Sequence, residues 1–219
     1  MKQKANSIER MLMISLGFTM LLLVFRIIYS GTLIYIFYGW NLFLAVVPLI
    51  FSRRLQHHSH LKTKSVGLLI GWLLFFPNAP YVITDIIHFK ERTPVPKWYD
   101  LLLVTSAAWN GLILGFASLL NVEGFLSKTM SRRKVQVFVF SFLALGGYGV
   151  YIGRFLRFNS WDVVSDPADL IGESLRHFLL PHHYMHVWRF TFLFSVLLAI
   201  TYYSAKLFSL QANTHKVDH

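Results

Sequence analysis

Outside its short basic blocks, the chain gathers its reactive side chains into four stretches. The first is Asn78-Ala79-Pro80-Tyr81, followed by Thr84, Asp85 and His88. The second is Trp98-Tyr99-Asp100, and the third holds Arg154, Arg157, Asn159, Ser160, Trp161 and Asp162. The fourth is His182, His183 and His186. On a helix, residues three or four apart share a face, so Thr84 and Asp85 both fall beside His88. His182 and His186 have the spacing with which one helical face offers two imidazoles to a zinc ion. His88 is then the candidate third ligand, a water takes the open position, and Asp100 or Asp85 is the candidate general base, with Thr84 alongside. Arg154 and Arg157 could clamp an anionic group. Asn78, Tyr81, Asn159, Trp161 and Asp162 complete a candidate substrate-binding set. A plainer reading stands beside this one: Arg154 or Arg157 neutralises Asp85, Asp100 or Asp162, and the histidines at a helix entrance are simply wet.

These groups sit in a chain of 219 residues that is 55% hydrophobic and 14% charged, with 20 phenylalanines. A soluble domain carries about 25% charge. The mean hydropathy is +0.50. The formal charge of +11 suggests nucleic acid at first sight. However, the basic residues lie in short blocks between long apolar runs, the pattern of membrane topology. Membrane lipids are therefore the expected partners, nucleic acid is not, and no protein partner can be named. The chain lacks cysteine, which removes thiol catalysis, disulfides and thiolate metal sites. The N-terminal apolar run is too long for a signal-peptide core and lacks a small-residue cleavage site, so it reads as a retained first span.

A membrane helix needs roughly 20 apolar residues. Six spans are predicted, at about 11–29, 32–51, 66–87, 101–120, 135–155 and 187–205, giving an all-α polytopic bundle in a single transmembrane domain. The turn between the first two falls at Ser30-Gly31 or, alternatively, at Gly39-Trp40-Asn41. Thirteen of the 21 basic residues then lie on one side, as Lys2, Lys4 and Arg10, Arg53 to Lys64, Lys128 to Lys134, and Lys206 and Lys216. Seven of the ten acids lie on the other. The positive-inside rule puts both termini in the cytoplasm. The four reactive stretches consequently gather at the outer ends of the spans. Glycine pairs at Gly67/Gly71, Gly111/Gly115 and Gly149/Gly153 allow close helix packing. Asn41 and Asn110 are predicted to hydrogen-bond between helices, and Arg26 to snorkel or to pair with an outer acid. Pro80 should kink its span, with Asn78 or a water satisfying freed carbonyls near Phe76 and Pro77. Asp166-Pro167 reads as a helix start. From there, about 167–180, an amphipathic helix should lie at the interface or fold over the mouth of the bundle.

Phe75-Phe76-Pro77-Asn78-Ala79-Pro80-Tyr81 with Thr84-Asp85 and His88, then Trp98-Tyr99-Asp100, then Gly153 through Asp162, together resemble a bacterial membrane-protein family, domain of unknown function 1361. Trp40 through Ala45 fits the same family. The resemblance covers nearly the whole chain and implies a multi-pass protein of the bacterial inner membrane, without implying an activity. A looser likeness is to alkaline ceramidase and adiponectin-receptor-like membrane hydrolases, which hold zinc with Ser-x3-His, an Asp and His-x3-His. Here Thr84-x3-His88, Asp100 and His182-x3-His186 occur in that order, with Thr in place of Ser and six spans in place of seven.

Two functions compete, beside a structural or accessory role in which the polar cluster only holds the bundle together. One is a metal-dependent hydrolase acting on a lipid or amide bond, with zinc as its cofactor. The other is a transporter or a lipid- or anion-binding membrane protein without catalysis.

Overall fold

The computed structural model describes residues 2–89 and 94–214, and side chains within 10–208 apart from residues 88 and 90–93. All regular structure among the described residues is helical. In chain order the α-helices are α1 (Lys2–Ser30), α2 (Phe37–Gln56), α3 (Thr63–Phe75), α4 (Asn78–Thr84), α5 (Lys97–Leu126), α6 (Arg132–Tyr151), α7 (Asp162–Ser165), α8 (Pro167–Leu179) and α9 (Met185–Thr214). A 3-10 turn, Asp85–His88, follows α4, and a π turn, Ile152–Leu156, follows α6. Five segments are long and apolar enough to cross a membrane: Arg10–Ser30, Thr63–Ile87, Lys97–Leu126, Arg132–Leu156 and Met185–Phe208.

The expected second span, 32–51, is the exception. Gly31 sits at φ +63°, a left-handed conformation that glycine adopts without a Cβ penalty, and its N–H bonds the Ile27 carbonyl. The first hairpin therefore turns at Ser30-Gly31, and Gly39 to Asn41 lie inside α2. Residues 32–36 are spent on that turn, so the helix begins five residues late and runs on through Arg53 and Arg54. Asn41 and those two arginines keep α2 out of the apolar set.

The chain forms two compact units, residues 1–129 and 130–219. In the first, α1, α2, α3–α4 and α5 run alternately up and down. Leu22, Leu23, Tyr35, Tyr38, Leu42, Ala79, Val82, Leu103 and Ala107 form the core. Ser15 and Thr19 of α1 meet Asn110 of α5, whose Nδ2 donates to Thr19 Oγ1 at 2.8 Å and to the Ser15 carbonyl at 3.2 Å. Asn110 thus bridges helices as predicted. Gly111 lets α5 press on α4: a Cβ there would stand 2.5 Å from the Ala79 carbonyl oxygen. Gly115 likewise faces Ala79, and Gly71 faces the Phe51 ring, whereas nothing lies within 4 Å of a Cβ at Gly67.

The third span is broken rather than kinked. α3 stops at Phe75 and α4 restarts at Asn78, because Pro77 and Pro80 both lack a donor. Asn78 Nδ2 donates to the Phe75 carbonyl at 3.0 Å, one residue earlier than expected. The Phe76 and Pro77 carbonyls instead accept the Ala79 and Tyr81 N–H groups.

In the second unit, α6 and α9 pack antiparallel, and Gly147 leaves room for Thr191 and Ser195. α8 occupies Pro167–Leu179, matching the expected amphipathic segment, and Asp166 stands at its N-cap without a side-chain bond.

Candidate functional site

The polar end of the first unit is built by four chain segments. The end of α1 supplies Arg26 and Ser30, and the start of α2 supplies Tyr38 and Asn41. The 3-10 turn supplies Asp85, and the start of α5 supplies Asp100. Arg26 is 2% exposed and Asp100 1%. Arg26 Nε donates to Asp100 Oδ1 at 3.0 Å and Nη2 donates to Oδ2 at 3.3 Å, a two-pronged ion pair. Nη1 donates to Ser30 Oγ and Thr32 Oγ1, each at 3.1 Å, and the guanidinium lies 4.2 Å from the Tyr35 ring centre. Of the two expectations for Arg26, pairing with an acid of the reactive stretches holds, and Asp100 is that acid. Asp100, expected as a candidate general base, is held by Arg26 through both carboxylate oxygens.

Asp85 is also buried. Asn41 Nδ2 donates to its Oδ2 at 2.7 Å, and the Tyr38 hydroxyl donates to its main-chain carbonyl at 3.1 Å. Asn41 thereby links α2 to the broken third span. The Thr84 hydroxyl donates to the Tyr81 carbonyl at 2.6 Å, so its proton is engaged within α4. Tyr81 is half-buried. The His88 side chain, the expected third metal ligand, lies outside the described residues.

The third and fourth stretches belong to the second unit. Arg154 is half-buried in the π turn, and Arg157 is exposed at φ 64°, a left-handed conformation uncommon for a residue with a side chain. Asp162 Oδ2 accepts the Asn159 N–H at 2.6 Å and Oδ1 accepts the Ser165 hydroxyl at 2.9 Å. The Asn159 N–H is the main reason the Asp162 carboxyl is held below its ordinary pKa. Asn159, Asp162 and Ser165 thus form a local cap around α7, with Trp161 exposed beside it.

His182 is exposed in the turn that precedes α9, and His186 is exposed in that helix's first turn. Proline at 181 and the turn over 181–184 delay the helix, so the pair does not share one helical face as the spacing suggested. Among the described residues, no group of three or more His, Asp or Glu side chains could hold a metal ion.

Among the described histidines, the buried one is another. His177, on α8, is 2% exposed, and its Nδ1 lies 3.0 Å from the Tyr148 hydroxyl. Tyr148, Tyr151 and Tyr184 set their rings edge-on to it. Trp188 Nε1 donates to its carbonyl at 3.2 Å, and Tyr148 and Trp188 stack. Burial lowers the pKa of His177; Glu173 opposes that shift and His186 adds to it. The signal was present in sequence: His177 stands three and four residues after Ser174 and Glu173, on one face of the amphipathic segment. It was hidden because a histidine among charged residues reads as solvated.

Residues 40–201 match the model of a family described as a protein of unknown function, DUF1361. Neither a curated protein nor a solved structure matches the chain.

Proposed function

The chain belongs to the DUF1361 family of unknown function, and from that premise we propose that it is a membrane protein that binds a small cation or an ammonium-bearing ligand without catalysis, as a carrier or receptor. The observation that carries this reading is the buried Asp85 carboxylate, gripped by Asn41 at 2.7 Å on the turn that ends a broken span. An ionisable residue at membrane depth marks a functional site by default, and interrupted helices are where membrane proteins hold ions. Oxygen atoms gather around Asp85: its own carboxylate and main-chain carbonyl, the Asn41 amide oxygen and the Tyr38 hydroxyl. Oxygen sets suit hard cations and ammonium groups.

The hydrolase reading has lost support at two of its parts, since Asp100 is engaged by Arg26 and His182 stands off the α9 face. Its zinc remains a matter for elemental analysis of the purified protein.

Thermal unfolding of the detergent-purified chain tests the binding reading, with sodium, potassium, magnesium, calcium and tetramethylammonium chlorides as probes at fixed ionic strength. A ligand at a hundredfold excess over its Kd stabilises the folded state by about 2.7 kcal/mol, which is readily seen as a raised midpoint. At least one probe should raise the wild-type midpoint, and the shift should vanish in Asp85→Asn and shrink in Asn41→Ala. A wild type indifferent to every probe, or a shift that survives in Asp85→Asn, refutes the assignment.

A further inference from the structure

α8 is amphipathic in an unusual sense. Its polar face is the one that docks on the protein. His177 bonds Tyr148, Ser174 bonds the same hydroxyl, and Glu173 is half-buried beside them. Ile171, Leu175, Phe178 and Leu179 follow at steps of four, three and one, which places them on a single stripe. That stripe is turned outward, with Leu179 74% exposed. Trp161, Val163 and Val164 of the preceding segment and Leu180 after the helix are exposed as well, Val164 at 83%. A soluble helix does the reverse, burying its apolar stripe and wetting its polar one.

Water is a poor partner for such a surface, and its position names a better one. α6 and α9, on which α8 docks, are each long and apolar enough to cross a membrane. Both carry outward apolar side chains, among them Phe140 and Leu145 on α6 and Phe192 and Leu193 on α9. α8 leaves the end of one of these helices and leads into the start of the other. Its stripe therefore continues the lipid-facing surface at the level where acyl chains meet head groups. The helix's own charges are largely self-satisfied: Arg176 Nη1 donates to Glu173 Oε1 at 2.8 Å. Asp169 lies on the flank with Arg176 and remains in water.

We infer that α8 is a bilayer-surface helix, its Ile171–Leu175–Phe178–Leu179 stripe sunk among the acyl chains while His177 and Ser174 anchor its polar face to Tyr148. Insertion draws on apolar area, as for other interfacial helices, and not on the head-group charge that a basic helix would seek. The bound surface is consequently a neutral lipid bilayer as readily as an anionic one.

Because the chain has no cysteine, nitroxide labels can be placed singly on the full-length protein. Leu175→Cys and Leu179→Cys probe the stripe, and Asp169→Cys and Arg176→Cys, seven residues apart on one face, probe the water flank. The Arg176 side chain is 64% exposed, so the substitution fits. In phosphatidylcholine vesicles, stripe labels should collide with oxygen several-fold more than with a water-soluble nickel chelate, relative to flank labels. Replacing a fifth of the lipid with phosphatidylglycerol should leave that ratio unchanged. Equal nickel collision at all four sites, exclusion of both reagents from the stripe by a protein cover, or insertion that needs anionic lipid would each overturn the inference.

Discussion

Arg26 and Asp100 lie 74 positions apart in sequence and meet with both prongs of the guanidinium engaged. Removing one partner of such a buried pair strands the other charge, at a typical cost of about 3–5 kcal/mol, whereas replacing both by apolar groups of similar size is often neutral or better. Arg26→Met and Asp100→Leu should each destabilise the purified protein strongly, and the double variant should recover most of the loss. Thermal unfolding in detergent reads this directly; additive losses would mean that the pair contributes no coupling. Sequence alone left Arg26 either to snorkel or to pair with an acid, since an arginine in an apolar run rarely stands by itself. Which acid answered was not legible, because Asp85, Asp100 and Asp162 are equivalent until the helices are placed.

Elements were read with uneven success, and the failures have physical causes. The apolar runs gave α1, α5, α6 and α9 closely, because twenty lipid-compatible residues are hard to mistake. Hydropathy does not register hydrogen bonds, so it offered the Ser30-Gly31 turn beside an alternative at Gly39 to Asn41 and could not place the break between Phe75 and Asn78. The amphipathic segment was predicted correctly as α8, yet its docked side was not. That docking rests on a buried neutral imidazole, which gives it a pH dependence. Burial lowers the His177 pKa, so the undocked helix holds a proton more tightly than the docked one. Docking is then at full strength above about pH 6.5, the ordinary histidine value, and weakens as pH falls below it until the docked form also protonates. The titratable groups facing the ring set the size of the effect. Tyr148 and Tyr151 come from α6, Glu173 from α8 itself, Tyr184 from the turn and His186 from α9. Hydrogen exchange over residues 167–179, corrected for intrinsic rates, should rise as the medium is acidified. His177→Phe should abolish the pH dependence, and a wild-type profile flat from neutrality to mild acid would contradict it.

At the scale of the whole molecule, α2 decides how often the chain crosses the bilayer. Composition favours five crossings, yet α2 spans the height of its own unit. Near one end Asn41 reaches Asp85, and at the other Gln56 Nε2 donates to the Asn121 carbonyl while Lys128 Nζ donates to the Gln56 carbonyl. α5 descends beside it over the same distance. A helix shielded by neighbours tolerates an asparagine that lipid would reject, and two arginines at its end suit the cytoplasmic surface. We therefore expect α1 and α2 to cross as a hairpin, giving six crossings and both termini in the cytoplasm. Single cysteines in the otherwise cysteine-free chain can decide it, using a membrane-impermeant maleimide on intact cells. Leu33→Cys in the first turn and Ala168→Cys in α8 should label from outside. Ser59→Cys between α2 and α3, and Ser131→Cys before α6, should label only after the cells are opened. Labelling of Leu33→Cys and Ser59→Cys from the same side would mean that α2 does not cross. The basic residues at Arg53 and Arg54 would then sit on the wrong face for the positive-inside rule, or the whole chain would be inverted, and the behaviour of Ser131→Cys separates those two cases.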